Sequence, residues 1–172
     1  MNSIKIGDKI IYPNQGLGVI EAIREESYAG ESSKIFHLRI IANNTLVQIS
    51  SSTATEIGIR RPVSEASIRK IFDYLKKGPV DVTMDWKGRY KEYVGLMKSG
   101  SLLDVATVLK SLHYLSLIKP LSFREKKMLE KAKELLVCEI SEAADTPGPK
   151  IEQRLLDALA RCFKDARPRV AA

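Results

Sequence analysis

The chain has 172 residues, 44% hydrophobic and 28% charged, the composition of an ordinary folded protein with room for one medium or two small domains. A formal net charge of +7 and an isoelectric point near 9.4 favour a polyanionic partner, nucleic acid above all. No apolar run approaches the roughly 20 residues that span a bilayer, the stretch Met1–Asp8 lacks the apolar core of a signal peptide, and Cys138 and Cys162 sit on helical patterns that suit buried free thiols in a reducing cytoplasm.

The first third reads as β structure. Ile4-Lys5-Ile6 leads into a Gly7-Asp8 turn, then Lys9-Ile10-Ile11-Tyr12 and a break at Pro13-Asn14-Gln15-Gly16. Further runs cover Leu17–Ile23, Lys34–Ile41 and Thr45–Ile49, with a short one at Glu56-Ile57-Gly58-Ile59, and Gly30 and Asn43-Asn44 mark turns between them. Five or six short strands in so few residues suit a small closed barrel, because curling a sheet removes its edges.

After Arg60-Arg61-Pro62 the period becomes helical. Ser64 caps a first helix carrying Ile68, Ile71, Phe72 and Leu75, which ends at Gly78-Pro79. A second, from about Asp85 to Ser99, places Trp86, Tyr90, Tyr93, Val94 and Met97 on one stripe. A third starts at Ser101 and a fourth at Ser122, where Glu125 completes a capping box. Asp145–Pro149 breaks the chain before a last amphipathic stretch, Ile151 to about Lys164. Residues 1–61 carry seven basic and six acidic side chains, so six of the seven net positive charges fall on 62–172. The expected architecture is therefore α+β in two domains: a near-neutral β-barrel, 1–61, and a basic, all-helical domain of about five helices, 62–172.

Enzymatic chemistry finds no constellation. Gly16-Leu17-Gly18 falls between two strands and is too short to signal a phosphate loop. His37 and His113 have no spacing that pairs them with a cysteine or carboxylate, and the two cysteines lack a second metal-ligand pair. No catalytic residue, metal or cofactor is expected.

What stands out is the run Asp85-Trp86-Lys87-Gly88-Arg89-Tyr90-Lys91, which holds the only tryptophan. At 100° per residue, Lys87, Lys91 and Lys98 line one flank of the apolar stripe and Arg89 the other. Cations so placed reach phosphates while a flat ring in the first turn inserts at a base step. The competing role for Trp86 is a plug in the core, and for each lysine a solvated face.

The same residues carry a resemblance to the CarD-like (CdnL) family of bacterial transcription regulators over nearly the whole chain. The matching pieces are Gly7-Asp8 with Ile10-Ile11-Tyr12-Pro13, Gly16-Leu17-Gly18 before Ile20-Glu21-Ala22-Ile23, and Ile57-Gly58-Ile59-Arg60. In the helical part they are Trp86-x-x-Arg89-Tyr90-Lys91, Ser99-Gly100, Ala106-x-Val108, and Leu121-Ser122 with Glu125-Lys126-x-Met128-Leu129-x-x-Ala132. The resemblance implies a Tudor-like barrel that docks on the RNA polymerase β subunit, with Glu26, Tyr28, Gln48 and Ile49 at the partner face. It also implies a helical domain on promoter DNA, without sequence selectivity; nothing in the chain requires a dimer, and a monomer is expected. In that domain Trp86 wedges into the minor groove at the upstream edge of the bubble, the cations at Arg89 and Lys91 support that contact through the backbone, and the open complex is stabilised. Lys87 and Tyr90 join them as DNA-binding candidates by their place on the helix. The chain departs from the family pattern at Gly88, where some relatives carry a basic residue, at Glu26 and Gln48, arginines in some members, and at Ser50, which replaces a common proline. The alternative is a general, sequence-tolerant DNA-binding protein without a polymerase partner.

Overall fold

Four strands build the first part of the chain, and each hairpin follows from its turn residues. β1 (Lys9–Tyr12), β2 (Gly16–Tyr28), β3 (Glu31–Ile40) and β4 (Leu46–Ser50) form an antiparallel sheet in sequence order. The computed structural model describes residues 4–28, 30–78, 80, 82 and 85–164; the side chains of Tyr28, Glu31 and Trp86 lie outside that description. The chain divides into two compact units, Met1–Pro62 and Val63–Ala172.

In the first unit, Ile20 pairs with Leu38 and Ala22 with His37, so Glu21 is an extra residue in β2. Such a bulge increases local twist and bends the sheet around its inner face. That face holds Ile10, Ile20, Phe36, Leu38, Ile40 and Ile49, with Ala54 and Ile59 added from the segment that follows β4. Gly18 is needed here for contact: a Cβ would lie 2.8 Å from Leu38 Cδ1 and 2.9 Å from the Arg39 carbonyl oxygen. The Gly-Leu-Gly run thus serves close strand packing.

Two sequence expectations change. Ile4–Ile6 is no strand; the Asp8 carboxylate accepts the Lys5 backbone N–H, and a turn at Ile6-Gly7 follows. Residues 54–57 form a short helix, α1 (Ala54–Ile57), closed by Gly58 in the left-handed region at φ 78°. Only Arg60 then bridges β1, exchanging backbone hydrogen bonds with Ile11. The alternation of Ile57 and Ile59 about a glycine imitated a strand because four residues are too few to separate the two periods. β2 and β3 also run further than their apolar residues suggested, since Arg24–Tyr28 pairs with Glu31–Ile35 as a polar ribbon.

The second unit consists of α2 (Glu65–Lys76), α3 (Trp86–Lys98), α4 (Leu102–Ile118), α5 (Phe123–Ala143) and α6 (Gly148–Phe163). Ser64, Asp85, Ser101 and Ser122 cap α2, α3, α4 and α5 through their side chains, and the Ser122–Glu125 capping box is complete. α4 is apolar on most of its circumference and is the central element, touching α2, α3, α5 and α6. Lys110 on α4 is buried as well. Its ammonium donates to the Tyr74 and Lys77 carbonyl oxygens at 2.8 and 2.6 Å and lies 4.5 Å from the Tyr74 ring centre. The free carbonyls at the end of α2 thus satisfy a buried cation. Both cysteines are free and half-buried. Among the described residues, no helix is long and apolar enough to cross a membrane.

Candidate nucleic-acid interface

α3 begins at Trp86 because Asp85 caps it: its carboxylate accepts the Lys87 and Gly88 backbone N–H groups at 3.3 and 3.0 Å. A Cβ at position 88 would come within 2.8 Å of that same carboxylate oxygen, so glycine lets the cap close tightly. Lys87, Lys91 and Lys98 are exposed, Tyr90 is half-buried, and Tyr93 and Met97 belong to the core. Burial raises the Tyr93 hydroxyl pKa despite its hydrogen bond with Ser111. The tryptophan thus opens a helix whose inner side is anchored and whose flank presents three lysines.

Arg89 is a correction to the sequence expectation. It is only 2% exposed, and its guanidinium donates to the Glu125 carboxylate of α5. The other oxygen of that carboxylate accepts the Ser122 backbone N–H at 2.9 Å. Burial pushes the Glu125 carboxyl up, but the bonds from Ser122 and Arg89 outweigh it and the net shift is downward. Arg89 therefore acts inside the fold, fastening the start of α3 to the start of α5, and is no surface cation. On the helical wheel it lay beside the stripe. α5 packs on that side, which no local pattern reveals.

Three residues that the sequence reading passed over complete this surface. Phe123, the first residue of α5, is 71% exposed, with the Lys127 ammonium 4.6 Å from its ring centre. The Arg124 guanidinium sits 5.9 Å from the Tyr90 ring centre, joining α5 to α3. The signal was present: Phe123 shares the face of Lys126, Lys127 and Glu130, away from the apolar stripe of α5.

The residues expected at the partner face of the first unit separate. Glu26 and Gln48 are exposed and lie on the same sheet face, since Glu26 pairs with Ser33 and Gln48 with His37, four residues apart on β3. Ile49 is a correction: it is 1% exposed and sits in the sheet core, because neighbouring strand residues point to opposite faces. Tyr28 pairs with Glu31 at the end of the β2–β3 ribbon, and its side chain lies outside the described residues. Ser50, on the Gln48 face, shares hydrogen bonds of 2.8 Å with Ser33 and with Ser52. His37 is buried in the sheet, and His113 on α4 stacks on Phe163, with burial lowering its pKa. Among the described residues, no group of three or more histidines, cysteines and carboxylates could hold a metal ion.

Comparison with known proteins bears on this arrangement. Residues 4–62 match the CarD-like/TRCF RID domain model, and residues 70–156 match the CarD C-terminal domain model. The chain is 33% identical over 136 residues to the putative transcription factor YdeB of Bacillus subtilis (strain 168), covering 79% of this chain and 89% of that protein. The chain belongs to the CarD-like family. This CarD-like protein is thus a transcription regulator, with a Tudor-like N-terminal unit and a helical C-terminal unit. Two solved structures from Myxococcus xanthus are similar to part of the chain. The 72-residue N-terminal domain of CarD is 27% identical, covering 34% of this chain and 79% of that one, with a TM-score of 0.30. The CdnL N-terminal fragment is 34% identical, covering 38% and 92%, with a TM-score of 0.31.

Proposed function

We propose that this CarD-like protein acts in the cytoplasm as a monomer that holds RNA polymerase with its first unit and promoter DNA with its second, stabilising the open complex. RID denotes an RNA polymerase interaction domain, and the match over residues 4–62 supports that partner. The β subunit is the proposed target, and the exposed sheet face of Glu26 and Gln48 is the proposed contact.

The observation that carries the DNA reading is the first turn and a half of α3. Asp85 and the buried Arg89–Glu125 pair hold it from below, while Lys87 and Lys91 face solvent beside the position of Trp86. A wedge that unstacks a base step costs a few kcal/mol, which a ring filling the gap and two phosphate contacts partly offset. Trp86 is the proposed wedge at the upstream bubble edge in the minor groove, and Tyr90 supports its helix. Gly88 offers no cation, so the phosphate contacts rest on Lys87 and Lys91. Phosphate contacts position without specifying sequence, so free-DNA affinity is weak and sequence-tolerant. The test is open-complex lifetime on one promoter with cognate polymerase, comparing no protein, wild type and Trp86→Ala. Wild type lengthens the lifetime and the variant loses the effect while still binding polymerase. No lengthening by wild type refutes the proposal, and capture of DNA without polymerase would favour the general DNA-binding alternative.

A further inference from the structure

Phe123 opens α5 with its ring largely in water. A ring at the first position of α5 with 71% of its surface exposed keeps most of its apolar area in water, and aromatic side chains are enriched at interaction sites. Its surroundings state the partner's charge. The stretch 119–127 contains Lys119, Arg124, Lys126 and Lys127, and its single acidic residue, Glu125, is buried on Arg89. Lys126 and Lys127 are exposed, with the Lys127 ammonium 4.6 Å from the Phe123 ring centre. A surface groove of about 710 Å³ runs along Lys119 to Glu125. Its lining is largely apolar, from Pro120, Leu121 and Phe123, with Lys119 and Arg124 at its edge, a mix that suits a base face flanked by phosphates.

Resting on the DNA-binding reading above, we infer that Phe123 is a stacking platform for an unpaired base, with Arg124 and Lys127 holding the flanking phosphates of a single strand. The choice of strand follows from the ring. Base faces are hidden inside a duplex and open in a single strand, where stacking on an aromatic side chain combines with cations along the backbone. The contact of Arg124 with the Tyr90 ring ties this platform to α3, the helix of Lys87 and Lys91. One unit then offers a surface for duplex at α3 and for melted strand at the head of α5.

The test uses the full-length protein at low salt and follows the anisotropy of a labelled oligothymidylate of about 20 nucleotides, long enough for one strand-binding site, and of a duplex of matched length. The variants are Phe123→Ala, Phe123→Leu and Phe123→Trp, with melting temperature as the folding control, which an exposed side chain leaves unchanged. Ala and Leu weaken oligothymidylate binding roughly fivefold or more, Trp restores it because a flat face is what the base needs, and duplex affinity stays within about twofold of wild type. Equal single-strand affinity in all four proteins overturns the inference, as does an equal loss on duplex and single strand. Wild-type binding of duplex but not of oligothymidylate overturns it while leaving the DNA reading in place. Binding of neither removes the DNA reading itself, and the platform with it.

Discussion

Arg89 and Glu125 form a buried ion pair in which a single carboxylate holds two helices. One oxygen takes the guanidinium of α3 and the other takes the Ser122 backbone N–H at the head of α5. The pair ties the first turn of α3 to the head of α5. The proposed DNA surface thus leans on a side chain that is turned into the core.

Removing one partner leaves the other charge buried and unpaired. Arg89→Ala or Glu125→Ala is therefore expected to cost about 3–5 kcal/mol in denaturant unfolding, while an apolar replacement of both, Arg89→Met with Glu125→Leu, costs less than either alone. Arg89→Lys rescues poorly, because an ammonium lacks the planar fork. If Arg89→Ala kept full stability and only weakened DNA binding, Arg89 would be a surface cation after all.

Acid should weaken the helical unit in two steps. His113 is held below its ordinary 6.5 by burial, so the unfolded chain takes up that proton first and stability falls as pH drops below about 6.5. The Glu125 carboxyl is held below 4.5, so its contribution is present above that pH and is lost as pH falls through the lowered folded value. Urea midpoints measured against pH should lose the first slope in His113→Phe and the second in Glu125→Gln. Unchanged slopes would mean that neither group is linked to folding.

Lys87 and Lys91 should act as phosphate contacts. Replacing either with alanine is expected to weaken binding about equally on unrelated sequences and to reduce the dependence of log affinity on log salt by about one unit each. A change confined to one sequence would point to base reading instead.

Gln48 and Ile49 adjoin in sequence but should fail differently. Ile49→Ala empties core volume and is expected to cost about 2–5 kcal/mol in the first unit. Gln48→Ala and Glu26→Ala should leave the melting temperature within about 2–4 °C, since surface changes fall within roughly ±0.5 kcal/mol. Their effect appears only in polymerase pull-down. Intact capture by both surface variants would move the partner site off this face.

Much of the architecture was legible in the chain because it is encoded locally. Ser64, Ser101 and Ser122 announced three helix starts, since a cap needs only a side chain and a backbone N–H three residues on. The charge step at Pro62 and the Trp86–Lys91 run were equally plain. A four-residue segment carries too little periodicity, so α1 was read as a strand. Long-range packing decided the rest. Which flank of α3 is covered depends on where α5 lies, and that turned Arg89 inward and left Lys91 outside. The strand register decided that Gln48 faces water and Ile49 the core. The sequence by itself determined the five long helices, the β-then-α order and the cations available. Only the tertiary structure decided which of those cations meet solvent, because burial is set by what packs across from a residue and not by its neighbours in the chain.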